Sequence, residues 1–303
     1  MKEYDLIVIG TGSAMSIVNA AIQRNPDAKV AVIDKDEPGG ICLTRGCTPS
    51  KILLYPAELV RTIERVNEFG IDISVKKIDF VKIMNRMRTL IYKDITAIRE
   101  GLSHSKNIDY YPAVAEFVAP YVLKIDNETI TSKMIILCTG SKPLIPLIKG
   151  LEEAQYHTSD TILKINQLPK SIAIIGGGYI AAEYGHFFYA MGSKVTIIGR
   201  NPQFLPDEEP EISSLAKREL QKHMEILTNH EVREAGKTSG KKKLIAVNRE
   251  NRKRVEVLAD EILVAAGGGP NADILHPEKG GIKTDKESWF VVNDFLETSQ
   301  PNI

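Results

Sequence analysis

Leu6-Ile7-Val8-Ile9-Gly10-Thr11-Gly12-Ser13 is followed by a helical pattern through Ala14, Ile17, Val18, Ala21 and Ile22, and then by Val30-Ala31-Val32-Ile33-Asp34. A continuous apolar run ending in glycine reads as a parallel strand buried on both faces. The order strand, glycine turn, helix, strand, acid is the fingerprint of a βαβ unit that holds a dinucleotide. Gly10 makes the tight turn, Gly12 lets a pyrophosphate approach the backbone beside Ser13, and Asp34, followed by Lys35, is placed to bond a ribose hydroxyl. Met15 stands where a third glycine is usual, which costs helix–strand packing rather than phosphate contact.

The pattern recurs downstream. Ile172-Ala173-Ile174-Ile175 reads as a strand, Gly176-Gly177-Gly178-Tyr179-Ile180-Ala181 as the turn, Ala182 to Met191 as the helix and Val195 to Ile198 as the next strand. Two fingerprints imply two dinucleotides. The second unit has Gly199-Arg200 where the first has its acid. An acid there repels a 2′-phosphate and arginine accommodates one, so the spacing points to NADP(H), with NAD as the alternative.

The expected fold class is therefore α/β, with two Rossmann-like, doubly wound, three-layer domains that each carry a small antiparallel meander. The meanders are expected over 110–140, turning at Asp126-Asn127, and over 226–264. Helices are expected over 52–69, 79–103 and 211–224, and the basic stretches Lys241 to Lys243 and Arg249 to Arg254 read as a solvated hairpin. Pro143, Pro146 and Gly150 mark a crossover. The domains are drawn as 1–145 plus 271–303, and 146–270.

Between the first unit and its helices lies Gly39-Gly40-Ile41-Cys42-Leu43-Thr44-Arg45-Gly46-Cys47-Thr48-Pro49-Ser50-Lys51, which holds two of the three cysteines. The spacing allows a disulfide ring, and Cys47 falls at or just before a helix N-terminus, which favours a thiolate. Zinc lacks two further ligands, a purely structural disulfide lacks any secretory signal, and two unconnected buried cysteines fit poorly with the flanking Gly-Gly and Pro-Ser-Lys. A redox-active pair is the preferred reading. Cys138 reads as a buried strand residue.

The 303 residues carry 39 basic and 39 acidic side chains, a balance that removes the field expected of a nucleic-acid binder. No apolar run is long enough for a signal peptide or a membrane span, so a cytoplasmic protein is expected.

With these motifs in hand, the chain resembles the class I pyridine nucleotide–disulfide oxidoreductases, from Tyr4 to Ile303. Gly39 to Lys51 matches the family's Gly-Gly-x-Cys-x4-Cys-x-Pro-Ser-Lys. Thr139-Gly140 and Gly178-Tyr179-Ile180-Ala181-Ala182-Glu183 match further motifs. The resemblance implies FAD on the first unit and NADP, or NAD, on the second. It makes Cys47 the flavin-proximal thiol and Cys42 the interchange thiol, with Lys51 contacting the flavin and pairing with Glu183. It makes Tyr179 a cover for the flavin, Ala115 a backbone contact to the FAD adenine, and Val232 and Gly267 part of the lining of the second nucleotide. The implied activity is foremost that of a dihydrolipoamide dehydrogenase acting on a lipoyl dithiol. The alternatives are an NADPH-dependent small-molecule disulfide or mercuric reductase, or a cofactor-binding module without turnover. The resemblance also places the family's interface domain, its homodimer contact and its His-x4-Glu acid–base pair beyond Ile303. The 303 residues thus read either as part of a longer protein, a homodimer as in the family, or as a truncated product able to stand as a monomer, with all six histidines structural or at the surface.

Overall fold

The computed structural model describes residues 1–303, and packing divides them into two units. The first comprises 1–47, 90–142 and 269–303. Its centre is a four-stranded parallel sheet in the spatial order Ile108–Tyr111, Val30–Ile33, Leu6–Ile9, Ile135–Leu137. Alternation along the buried strands assigns the two faces. Leu6, Val8, Val30 and Val32 pack with Ala14, Val18 and Leu102 on the helical side. Ile7, Ile9, Ala31 and Ile33 pack with Phe117, Leu123 and Ile130 of an antiparallel meander. That meander comprises Ala115–Ala119, Val122–Ile125 and Glu128–Ser132, with Lys2–Tyr4 added in parallel at its edge. Helix, sheet and meander make the three layers.

The second unit comprises 48–89 and 143–268. Its parallel sheet runs His157–Thr158, Glu261–Val264, Ser171–Ile175, Lys194–Ile198, Glu225–Leu227. One face packs on the meander His230–Thr238, Lys241–Asn248, Arg254–Ala259 through Ala173, Ile175, Val232, Leu244 and Ala246. The helix Tyr179–Met191 buries Ala181, Tyr184, Phe187 and Phe188.

Several expectations need correction. The meanders are shorter than the alternating segments. Tyr110, Ile135–Leu137, Ile226 and Glu261–Val264 belong to the parallel sheets, because covering both faces of a strand removes the inside-outside alternation that would mark it. Cys42 sits in a short helix, Gly40–Thr44, that lay outside the expected helices. The next helix, Cys47–Ile63, starts earlier than the expected 52–69, and Val66–Phe69 is a separate 3₁₀ turn. The helices over 79–103 and 211–224 are observed as Phe80–His104 and Pro210–Leu220. Cys138 is half-buried just past its strand, where its N–H extends the ladder to the Ile9 carbonyl at 2.8 Å. The basic hairpin is not wholly solvated, since Lys242 pairs with Glu261.

Packing groups 48–89 with the second unit. Phe80 lies 6.1 Å from Phe187 and 6.5 Å from Phe188, whose rings meet edge-on at 5.2 Å. Arg88 donates to the carbonyls of Leu163 and Ile165 at 3.0 and 2.5 Å. Apolar stripes announce that a helix is buried but not against what.

Phe187 is 1% exposed. Phe187→Ala is expected to lower the unfolding free energy by about 3–5 kcal/mol, measured by urea denaturation.

Candidate functional site

The first strand of the first unit ends in a backbone that only glycine fits. Gly10 has φ +109°, and an added Cβ would lie 2.2 Å from the Cys138 carbonyl oxygen. The chain then turns so that the N–H groups of Gly12, Ser13 and Ala14 find no acceptor within the protein. They open the helix Met15–Arg24, where unpaired donors and the dipole favour an anion.

Thr11, 2% exposed, organises this end of the sheet. Its hydroxyl donates to Asp34 Oδ2 at 2.5 Å, and its N–H donates to the same oxygen at 2.8 Å. The hydroxyl oxygen also accepts the Gly39 N–H at 3.0 Å. One side chain thus joins the glycine turn, the acid ending the second strand and the first residue of the cysteine segment. The segment is drawn tightly onto the turn: Gly40 has φ +68°, and a Cβ on it would lie 2.5 Å from the Gly12 Cα.

From there Gly40–Thr44 forms the short helix that carries Cys42, and Cys47 opens the helix Cys47–Ile63. Gly46 makes the return possible, since a Cβ there would lie 2.9 Å from the Ile41 carbonyl oxygen and 3.3 Å from the Cys42 Cα. Cys42 and Cys47 are both exposed thiols. Burial alone raises the Cys138 thiol pKa. Arg45 pairs with Asp36 at 2.8 Å, and Lys35 pairs with the same carboxylate at 2.9 Å. Burial works to raise the Asp36 carboxyl, but these two cations outweigh it and hold it below the ordinary value. Gly140 packs near Ile41, and Asn271, 6% exposed, donates to the Thr139 carbonyl at 3.1 Å. Ala115 is buried and paired with Ile125, so only its backbone remains for recognition.

In the second unit the glycine turn is repeated. A Cβ on Gly176 would lie 2.0 Å from the Ala265 carbonyl oxygen. The N–H groups of Gly178, Tyr179 and Ile180 find no acceptor where they open the helix Tyr179–Met191. Tyr179 stands 68% exposed at its first turn. Glu183, one turn on, forms an ion pair with Lys51. Lys51 lies one helical turn after Cys47, on the same face of their helix. Arg200 and Gly267 are exposed, whereas the Val232 side chain is buried in the apolar cluster beneath the meander, leaving only its backbone for a nucleotide.

Comparison with known proteins matches residues 4–303 to the pyridine nucleotide-disulphide oxidoreductase family. The chain belongs to this family. Among its relatives are a mercuric reductase of Lysinibacillus sphaericus, 32% identical over 99% of this chain and 55% of that protein. A mycothione reductase of Mycobacterium tuberculosis is 30% identical over all of this chain and 65% of that protein. A dihydrolipoyl dehydrogenase of Thermus scotoductus is 32% identical over the same shares. The HOCl-induced flavoprotein disulfide reductase RclA from Escherichia coli, solved as its Cu(II) complex, superposes with a TM-score of 0.86 at 26% identity. That match covers all of this chain and 65% of RclA. The chain thus spans between about half and two-thirds of the length of these relatives.

FAD and a pyridine nucleotide are the cofactors of this oxidoreductase family, and the residues present fit both. The open N–H groups at each glycine turn suit a pyrophosphate, and the glycine contacts leave space that side chains would fill. Thr11, Asn271 and Arg45 escaped the sequence reading. Thr11 had a signal, since a hydroxyl between two fingerprint glycines faces the strand-ending acid. Asn271, 132 residues from its partner, had none.

Thr11→Val, which keeps shape but removes the hydroxyl, is expected to destabilise the protein by about 1–3 kcal/mol and to weaken flavin retention on gel filtration, whereas Thr11→Ser keeps both. In a second experiment, brief iodoacetamide treatment of the native reduced protein at neutral pH should label Cys42 and Cys47 well before Cys138, read by peptide mass spectrometry.

Proposed function

We propose that the protein is a flavoprotein disulfide reductase in which Cys42 and Cys47 form the redox pair, driven by NADPH. The observation that carries this reading is the close approach of Gly40 to Gly12, which seats the segment bearing both cysteines directly on the first dinucleotide turn. FAD, when bound, supplies a two-electron relay between a pyridine nucleotide and the cysteine pair.

The steps belonging to the chain's own residues are thiol exchange. The Cys42 thiolate attacks one sulfur of a substrate disulfide, forming a mixed disulfide and releasing one substrate thiolate. The Cys47 thiolate then attacks the Cys42 sulfur, closing the 42–47 disulfide and releasing the second thiolate. The substrate gains two electrons and the cysteine pair loses two. Cys47 is the first residue of its helix, where the helix dipole favours the thiolate. Lys51 supplies a cation one turn later, oriented by Glu183. A cation so placed suits the negative charge of a reduced flavin.

Two finer readings divide the substrate. Dihydrolipoamide oxidation with NAD is the activity foremost in the resemblance. NADPH-driven reduction of a small-molecule disulfide is favoured by Gly199-Arg200, where no carboxylate opposes a 2′-phosphate.

Purified protein reconstituted with FAD is expected to reduce ferricyanide and a small-molecule disulfide with NADPH faster than with NADH. Cys42→Ser and Cys47→Ser should retain ferricyanide reduction and lose disulfide reduction by at least about a hundredfold. Turnover of lipoamide with NAD(H) alone would instead support the dihydrolipoamide reading. Flavin binding with neither activity would mark a cofactor-binding module.

A further inference from the structure

The turn joining strands Lys241–Asn248 and Arg254–Ala259 is basic and mostly exposed, yet one of its residues is held in place. The Arg249 N–H donates to the Asn229 carbonyl at 2.8 Å, and its Nη1 donates to the Arg200 carbonyl at 3.1 Å. Asn229 in turn donates to the Asn201 carbonyl at 2.7 Å, and the His230 N–H donates to the Gly199 carbonyl at 2.9 Å. The segment Gly199–Asn201, directly after strand Lys194–Ile198, is thus bracketed by Asn229, His230 and Arg249. The Asn248 side-chain carbonyl accepts the N–H groups of Glu250 and Asn251 at 3.0 and 3.1 Å, fixing the turn that presents Arg249.

The corresponding place in the first unit has the opposite chemistry. There the Asp34 carboxylate ends the strand and holds Thr11. In the second unit Gly199 and Gly177 occupy those positions, and a Cβ on Gly199 would lie 3.3 Å from the Gly177 Cα. No side chain bridges strand end and glycine turn, and no carboxylate neutralises the guanidiniums, since neither Arg200 nor Arg249 forms an ion pair. Glu250, the acidic residue of the turn, is exposed. The Arg249 guanidinium is held against the Arg200 backbone, and cations on such neighbouring residues repel each other unless an anion lies between them. A phosphate dianion matches the donor fork of arginine.

We propose that Arg249 is a specificity-determining residue, the second cation that, with Arg200, binds the 2′-phosphate of NADP(H). The proposal rests on reading the second unit as the pyridine-nucleotide site. It reassigns one residue of a hairpin that its composition alone marks as solvated.

The test is calorimetric titration of the purified chain with ADP-ribose and with 2′-phospho-ADP-ribose, which differ only in the phosphate. The wild type is expected to bind the phosphorylated ligand more tightly, with the difference shrinking as salt is raised. Arg249→Ala should weaken 2′-phospho-ADP-ribose binding about tenfold and leave ADP-ribose binding unchanged. Arg249→Gln, which keeps a donor for the Arg200 carbonyl but no charge, should behave as Arg249→Ala does, and Arg249→Lys should retain part of the preference. If Arg249→Ala and Arg249→Gln discriminate like the wild type while Arg200→Ala does not, the role of Arg249 is overturned and the NADP(H) reading stands. Equal weakening toward both ligands in Arg249→Gln would reduce Arg249 to a support for the turn and likewise overturn the proposal. A wild type that binds both ligands equally, or neither, would overturn the NADP(H) reading and this proposal together.

Discussion

A hydroxyl group has one proton to give and lone pairs to receive, and Thr11 uses both where the first parallel sheet ends. Its proton goes to Asp34 and its oxygen takes the Gly39 N–H, while its own backbone N–H reinforces the hold on Asp34. Thr11 and its two partners lie on three different pieces of chain. Because Thr11 is buried, its hydroxyl and N–H cannot turn to water if the arrangement loosens, so each bond it loses carries a desolvation cost. The position of the cysteine segment on the dinucleotide turn depends on this node, and the contact between Gly40 and Gly12 completes it.

The two units use the same βαβ scaffold and differ in what they place at its end. In the first, an acid and a hydroxyl tie the strand end to the glycine turn and to the segment that follows. In the second, two glycines meet at the same place and the Arg249 guanidinium bonds the Arg200 carbonyl beside them. The scaffold supplies donors for a pyrophosphate in both cases, because a helix N-terminus follows a glycine turn in each. The scaffold tolerates either set of residues at the strand end and specifies neither.

Lys51 and Glu183 show how distant motifs become one arrangement. They lie 132 residues apart, one in the helix after the cysteines and the other in the second fingerprint helix, and they pair within the second unit. The pair orients a flexible ammonium. Its direct contribution to stability is small, because most of the Lys51 side chain remains in water.

Local covalent and conformational rules made much of the chain legible in advance. Buried parallel strands show as apolar runs, tight turns demand glycine, and the spacing of Cys42, Cys47 and Lys51 is a property of adjacent residues. The two dinucleotide units, the strand-ending Asp34, Arg200 and the cysteine motif were therefore present in the sequence by itself. Tertiary structure alone decided that Phe80 packs on Phe187. It likewise decided that the alternating segments surrender their outer strands to the parallel sheets, that Asn271 caps the Thr139 carbonyl, and that Arg249 reaches Arg200 across 49 residues. The physical reason is the same in each case. Periodicity and turn chemistry state which face of an element must be buried and where the chain must bend, whereas the partner that covers the face is chosen by packing among elements remote in sequence.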